Sequence, residues 1–360
     1  MIIPETFDEL QQAVRSVDRV RVRGGGTKNV LSADATISTE KLSGILEYEP
    51  SEYTFTALAG TPLKDIAAAL AENGQFLPFD PPLVEAGATL GGTVACGLSG
   101  PGRFRYGGLR DFFLGVRMVT GDGRVVFGGG KVVKNAAGFD IPKLVVGSLG
   151  RFGVLGELTF KVFPAPATWT TIRAEFSDFR SANAAMIRVA MSQEEVYCLD
   201  VEPSGAVSIR IGGLGDAQAV RTDRVRSLLD GAQVEVLTGD AEQQLWSDVR
   251  EFRWVPDGHS LIRLPLNPGQ VETAEKLLSQ HAGPRRYSVG GNLAWIAWPD
   301  SAAADSLLAA CRELGRKPLP LIGNWSGGVP SAEAGGAFET RLLDIFDPQR
   351  RSSLVPAEVS

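Results

Sequence analysis

Glycine clusters constrain this chain more than any hydrophobic period does. In Ala88-Thr-Leu-Gly-Gly-Thr-Val-Ala-Cys-Gly-Leu-Ser-Gly100, Gly91, Gly92, Gly97 and Gly100 leave little side chain. The backbone there can take positive φ and approach another body closely. Thr89, Thr93 and Ser99 add short hydroxyls and no charge. A surface made of peptide groups and small hydroxyls suits a flat, polar, multi-atom cofactor better than a small acid–base substrate. A buried tight turn against a sheet has the same composition, so the remaining chain has to decide.

Two further clusters flank this one. Arg19-Val-Arg-Val-Arg23 alternates as a strand does and runs into Gly24-Gly25-Gly26-Thr27-Lys28-Asn29. Consecutive backbone N–H groups after a strand form a nest able to hold an anion such as a pyrophosphate. The Rossmann fingerprint is absent, because Asn29 stands where its third glycine would be. A flexible strand-to-loop turn is the alternative. Gly128-Gly-Gly130-Lys131 is not a Walker loop, which needs glycine in place of Val125 and Ser or Thr in place of Val132. The third cluster is Gly147-Ser-Leu-Gly150-Arg-Phe-Gly153-Val-Leu-Gly156.

Composition excludes several functions. At 360 residues the chain can bury two cores, and 44% hydrophobic with 22% charged residues describes an ordinary globular protein. A net charge of −6 argues against nucleic acid, whose phosphates need a basic face. No apolar run reaches transmembrane length, and Pro4, Glu5, Asp8 and Glu9 replace a signal-peptide pattern. The expectation is a cytoplasmic protein, with a peripheral place at the inner face of a membrane left open. Cys96, Cys198 and Cys311 are odd in number and widely spaced, which excludes a disulfide framework and an iron–sulfur cluster ligated by this chain alone. With only His259 and His281, the sequence argues against a histidine-rich metal site as well. Redox work by such a chain requires an organic cofactor and another body to receive electrons.

Along the chain, Phe7 to Val17 reads as an amphipathic helix, and Leu42 to Leu46 and Thr54 to Leu58 as strands. Thr61 as N-cap and Pro62 at the first position open a helix that ends before Gly74. Val116 to Thr120 and Arg124 to Phe127 form a hairpin around Gly121-Asp-Gly123. Lys134-Asn-Ala-Ala-Gly-Phe-Asp140 leads to a helix from Ile141 to Val146, then a strand from Glu157 to Phe163 and a stiff Pro164-Ala-Pro166 linker. After it, strand 170–176, helix 178–191, strands 196–201 and 207–211, helix 216–229 and strand 234–237 spell βαββαβ. A helix at 241–252 follows, and the segments 260–265, 270–281, 286–289, 293–298, 302–314 and 319–323 repeat the pattern without sequence identity.

Arg23-Gly-Gly-Gly-Thr-Lys28, Ala88-Thr-Leu-Gly-Gly92 and Gly147-Ser-Leu-Gly150-x-x-Gly153-Val154, in this order, resemble the PCMH-type FAD-binding domain of the vanillyl-alcohol oxidase superfamily. Val94-Ala-Cys-Gly-Leu-x-Gly-Pro101, Arg110-Asp-Phe-x-Leu-Gly115 and Lys134-Asn-x-Ala-Gly-x-Asp140 are similar to the smaller flavin subunits of bacterial glycolate oxidases. The superfamily resemblance covers residues 1–165, the closer one about 60–165. It implies an α+β protein: a two-subdomain FAD-binding domain (1–166), a ferredoxin-like α+β cap with two βαββαβ-like units (167–330), and a C-terminal helix and tail (331–360).

Carried over by residue, the resemblance implies that Arg23, Gly24, Gly25, Gly26, Thr27 and Lys28 hold the pyrophosphate. Thr89, Gly91, Gly92, Thr93, Cys96 and Gly97 would follow the ribityl chain and isoalloxazine, and Gly150, Gly153 and Val154 the adenine side. Covalent relatives place a histidine in the first glycine loop. Here Gly26-Thr27 stand there, so FAD is expected to be non-covalent, with Cys96 a small buried neighbour of the cofactor.

No catalytic residue is assigned. His259 and His281 read as surface residues, Arg253 and Arg263 as ordinary strand and helix arginines, and the histidine-bearing motif Gly-Asp-Gly-Asn-x-His of larger flavin subunits is missing. Gly323-Asn-Trp-Ser-Gly-Gly328 reads as a turn. Phe346-Asp-Pro348 matches the family ending, but Arg350-Arg-Ser-Ser-Leu-Val-Pro356 replaces the usual Asn-Pro-Gly-Arg. The expected function is that of an FAD subunit in a complex oxidising glycolate or related 2-hydroxy acids to 2-oxo acids, with a larger flavin subunit and an iron–sulfur subunit as partners. A stand-alone FAD-dependent dehydrogenase of another small alcohol or hydroxy acid is the alternative, and a scaffold that has lost its flavin the third reading. All tryptophans but Trp169 fall within 246–325, which points to that part for partner contacts.

Overall fold

The computed structural model describes residues 1–130, 140–281, 283–328 and 336–352. Two compact units emerge: 1–99 with 108–165 and the described part of 331–360, and 100–107 with the described part of 166–330.

In the first unit, α1 (Phe7–Ser16) is capped by Thr6, whose hydroxyl accepts from Glu9 N, while the Glu9 carboxylate accepts from Glu5 N at 2.8 Å. Phe7, Leu10, Ala13 and Val14 are its buried stripe, spaced by three and four residues as a helix face requires. The strand expected over 19–23 is shorter than its alternation suggests. Only β1 (Val22–Arg23) pairs, in parallel with β2 (Ile37–Ser38), because the partner offers two residues before the chain turns away. β3 (Ile45–Glu49) and β4 (Thr54–Leu58) follow; β3 starts three residues later than the expected strand at Leu42.

Next come α2 (Leu63–Ala71), β5 (Gln75–Phe76), α3 (Leu90–Cys96), α4 (Arg103–Tyr106, in the second unit), β6 (Phe113–Val119), β7 (Val125–Gly129), α5 (Ile141–Val145), β8 (Val154–Lys161) and β9 (Phe163–Pro164). Thr61 does not cap α2. Pro62 takes the N-cap position, and Thr61 Oγ1 instead donates to Leu58 O at 2.7 Å and accepts from Gly44 N at 2.9 Å. The hydroxyl thus joins two strand ends, which a cap could not do. The β6–β7 hairpin is present, and the antiparallel sheet runs β3-β4-β8-β6-β7. Phe55, Phe79, Phe113 and Phe160 stack in its core. Of the Lys134–Asp140 motif, 134–139 lie outside the described residues, and Asp140 caps α5 through Lys143 N.

The second unit contains β10 (Thr168–Glu175), α6 (Phe179–Met191), β11 (Cys198–Val201), β12 (Ala206–Gly213), α7 (Gly215–Arg226), β13 (Gln233–Thr238), α8 (Gly239–Arg250), β14 (His259–Pro265), α9 (Val271–Leu278), β15 (Arg285–Ser288), β16 (Leu293–Pro299), α10 (Ala304–Glu313) and β17 (Leu319–Ile322). Both βαββαβ halves join one eight-stranded sheet ordered β13-β10-β12-β11-β15-β16-β14-β17. Numbered within its own half, each set of strands follows the order 4-1-3-2, with second strands meeting at the pair Val201–Tyr287. Alternation puts Ile172, Ala174, Leu199, Ile209 and Ile211 into the core with α6 and α9. Thr171, Cys198 and Arg210 lie on the other face, under Trp246, Val249 and Glu242 of α8.

The C-terminal helix α11 (Gly336–Phe346) returns to the first unit. Gly121 N donates to Phe346 O at 2.8 Å, and Asp347, 1% exposed, accepts from the backbone N of Arg351 and Ser352 at 3.0 and 2.7 Å. The Arg351 guanidinium donates to the carbonyls of Val14, Val17 and Gly121, and its own carbonyl accepts from Val20 N at 2.8 Å.

Candidate functional site

Beyond β1 the backbone changes character. Thr39 N donates to Arg23 O at 2.9 Å, which ends the pairing with β2. From there the N–H groups of Gly24, Gly25, Gly26, Thr27 and Lys28 donate to no acceptor among the described residues. Gly25 is exposed and Gly24, Gly26 and Thr27 are half-buried, so solvent reaches these donors and an anion can take its place. The loop also lies tight against the segment before α3. A Cβ on Gly24 would stand 2.2 Å from Thr89 Oγ1, and one on Gly25 would stand 2.0 Å from the Gly87 carbonyl oxygen. Only glycine permits that approach.

Lys28 closes the loop and is 7% exposed. Its Nζ donates to Thr27 Oγ1 at 2.8 Å, and no carboxylate among the described residues pairs with it. Burial holds the ammonium below the ordinary lysine range, the neighbouring Cys96 sulfur acting the other way. A buried cation facing a hydroxyl and five free donors is an incomplete arrangement, which an anion would complete.

The opposite wall is α3 and what docks on its end. Thr89 caps α3, accepting from Gly92 N, and Gly91 N donates to Ala59 O at 2.7 Å. Gly97 (φ +60°) ends α3 in the left-handed conformation, its N–H turned back to Thr93 O and Val94 O. The third glycine cluster bonds to the same helix end, Gly147 N to Val94 O at 3.0 Å and Leu149 N to Ala95 O at 2.8 Å.

Together these segments line a cleft that is partly open to solvent. Of the fifteen residues singled out in the sequence, thirteen line it: Arg23, Gly24, Gly25, Gly26, Thr27, Lys28, Thr89, Gly91, Gly92, Cys96, Gly150, Gly153 and Val154. Thr93 and Gly97 do not. Thr93 is 1% exposed inside α3, and Gly97 serves the helix end. Thr39, Ala59, Ala95, Leu149 and Leu155 also line the cleft and were not foreseen. Thr39 and Ala59 sit just past strand ends with no special residue type. Ala95 required knowing that residues 90–96 are helical, and Leu149 had a signal, lying inside a glycine cluster.

The lining holds two cations, Arg23 and Lys28, and no histidine, aspartate or glutamate. Arg23 is matched by Glu40 at 3.6 Å. His259 lies at the start of β14, its Nδ1 3.0 Å from Asp257 O, and His281 is exposed. Arg253 pairs with Asp248 at 2.7 Å, Arg263 stands in β14 opposite Trp295, and the Trp325 indole donates to Gly328 O within its own turn. The glycine loop and the buried ammonium offer backbone donors and one positive charge, which suits the diphosphate of an FAD, and the lining holds no carboxylate or imidazole.

Comparison with known proteins gives a consistent picture. Residues 1–129 match the FAD binding domain family. Glycolate oxidase subunit GlcE of Escherichia coli is 35% identical over 353 residues, 95% of this chain and 93% of GlcE. Glycolate oxidase subunit GlcD of Bacillus subtilis is 30% identical over 194 residues, covering 51% of this chain and 40% of GlcD. D-lactate dehydrogenase of Archaeoglobus fulgidus is 32% identical over 176 residues, 48% of this chain and 39% of that enzyme. Among solved structures, alkyldihydroxyacetonephosphate synthase superposes with a TM-score of 0.72 over 97% of this chain and 74% of its own, at 16% identity, a likeness of fold. With near-complete mutual coverage of GlcE and an FAD binding domain at its start, the chain belongs to the family of FAD-linked oxidoreductase subunits that includes glycolate oxidase subunit GlcE.

Proposed function

We propose that this chain is a flavin subunit of a glycolate-oxidising assembly, converting glycolate or a related 2-hydroxy acid to the 2-oxo acid. The observation that carries the reading is the run of five unengaged N–H groups from Gly24 to Lys28 beside a buried, uncompensated ammonium. Gly24 to Lys28 hold the diphosphate through backbone donors and one charge. Thr89, Gly91, Gly92 and Cys96 border the flavin side, and Gly150, Gly153 and Val154 the nucleoside side. Cys96 is 8% exposed and no histidine lines the cleft, which favours a non-covalent cofactor.

Bound FAD supplies the two-electron acceptor for the carbon–hydrogen bond that is lost. Glycolate gives up two electrons and two protons, and the hydroxyl proton needs a base. The cleft provides none. This supports a division of labour in which a larger flavin subunit handles substrate and an iron–sulfur subunit accepts electrons, while this chain holds its flavin as a relay. Among the described residues no helix is long and apolar enough to cross a membrane, so membrane association would come through those partners.

The test is an absorbance spectrum of the purified chain before and after anaerobic glycolate. A yellow protein whose flavin stays oxidised until the larger subunit is added is the expected result. Bleaching by glycolate alone at the rate of the complete assembly would overturn the relay role and favour a self-sufficient dehydrogenase. A colourless chain that takes up no FAD, alone or with partners, would refute the cofactor assignment.

A further inference from the structure

The eight-stranded sheet of the second unit ends in β13, which pairs with β10 on one side and with no strand among the described residues on the other. The pairing with β10 runs without a break, from Thr238 opposite Thr170 to Gln233 opposite Glu175. Gln233, Glu235, Val236 and Thr238 are exposed. An open strand edge invites pairing with another chain, and native folds blunt such edges with prolines, lysines or bulges. Two other edges show this. β17 is the fourth strand of the second half, as β13 is of the first; it carries Pro320 and follows Lys317 and Pro318. β3 breaks its register between Ile45 and Glu47. β13 has no proline, no lysine and no bulge.

We propose that this edge docks a second copy of the chain, the two β13 strands pairing antiparallel across a two-fold axis at Val236. A two-fold axis normal to the sheet keeps each side chain on its own face, so one residue must stand opposite its own copy. The strand's length leaves two centres that pair nearly all of it, Glu235 and Val236. Centring on Glu235 sets like charges opposite each other, which is destabilising. Centring on Val236 sets valine against valine, Val234 against Thr238 and Glu235 against Leu237, so no charge meets its like. Val236 is 40% exposed, and β-branched residues favour such pairing. Its face is the one on which Val234 packs with Val225 of α7, and Val220 of that helix and Leu214 just before it are exposed as well. The sheet already joins its own halves edge to edge, through Val201 and Tyr287. One strand pair buries less than a standard interface, so the dimer is weak and depends on concentration.

Sedimentation velocity on the full chain over a concentration series tests this, with thermal melts of each variant to verify folding. The expected result is a shift from 38.3 kDa towards twice that mass as concentration rises. Val236→Lys sets two ammonium groups against each other at an exposed position and should raise the dimer dissociation constant about tenfold or more. Val236→Glu should do the same, and mixing the two variants should restore the dimer, because opposite charges then meet at the axis. A chain that stays monomeric at every concentration, a dimer that Val236→Lys leaves intact, or a mixture that does not recover would overturn the proposal. So would a monomeric wild type whose binding to a larger flavin subunit is lost in Val236→Lys, since the edge would then belong to that subunit.

Discussion

Replacing Lys28 with methionine separates two opposing energies at the glycine loop. In the cofactor-free chain the ammonium is buried with one hydroxyl partner and no counter-ion, so its charge destabilises the fold. In the proposed FAD complex the same charge faces the diphosphate. A charge-assisted hydrogen bond contributes about 1.5–3 kcal/mol, which at about 1.4 kcal/mol per decade predicts a Kd for FAD about 10- to 150-fold weaker in the variant. Methionine fills nearly the same volume, so the cofactor-free variant should unfold at an equal or higher denaturant concentration than wild type. Burial pushes the lysine pKa down, so between that lowered value and about 10.4 the unfolded chain binds more protons than the folded one. The stability contribution of Lys28 therefore rises with pH across that window, and methionine should abolish it. Flavin fluorescence titrations and urea unfolding at several pH values read these effects. Unchanged FAD affinity, or a clearly destabilised cofactor-free variant, would refute the picture of a cation held ready for an anion.

Other consequences are equally accessible. Gly25→Ala sets a Cβ 2.0 Å from the Gly87 carbonyl oxygen; the loop must shift, and equilibrium dialysis should show FAD binding reduced by at least about 100-fold, as expected from losing two charge-assisted bonds. Glu242 is wholly buried and takes both Nε and Nη2 of Arg210, at 2.7 and 3.1 Å. Glu242→Gln should therefore cost about 3–5 kcal/mol in chemical unfolding, and adding Arg210→Met should recover much of it. Asp200, fully buried, is pushed up to about 6 by desolvation, against the opposing pull of Arg286. A raised carboxyl pKa means that the folded chain holds the extra proton between about 4 and 6, so stability falls as pH rises through that window. Asp200→Asn should remove this fall, which unfolding curves at pH 4.5 and 7 would show.

Local grammar made much of the fold legible. The apolar spacing of α1, the Gly121-Asp-Gly123 hairpin and the βαββαβ succession all rest on contacts close in sequence, and each appears. Long-range pairing was not legible. Nothing in Val201 or Tyr287 announces that they join two halves into one sheet, and nothing in Arg19 to Val20 that this stretch meets Arg351 instead of a strand. Thr61 looked like a cap because Thr-Pro before an apolar run usually is one; the competing acceptors at Leu58 and Gly44 come from tertiary structure. At the site, the glycines were visible because close backbone approach excludes every other residue. The roles of Gly97 and Thr93 were hidden, since a glycine at a helix end and one facing a cleft are the same letter. Arg351 was hidden most deeply, since its partners Val14, Val17 and Val20 lie more than 300 residues away.

The bonds from Arg351 and Phe346 to Val20 and Gly121 have a consequence for biosynthesis. The nucleotide-binding unit is interrupted, and its closing residues leave the ribosome after all the intervening chain. At about 5–20 residues per second, roughly 10–40 s separate translation of residue 165 from that of residue 352. During that interval the nascent glycine loop exists without its C-terminal brace, and the second unit has time to form first. Closure of this unit is thereby coupled to synthesis of residues 346–351, and a chain cut short before them would leave Val20 N and Gly121 N without these acceptors.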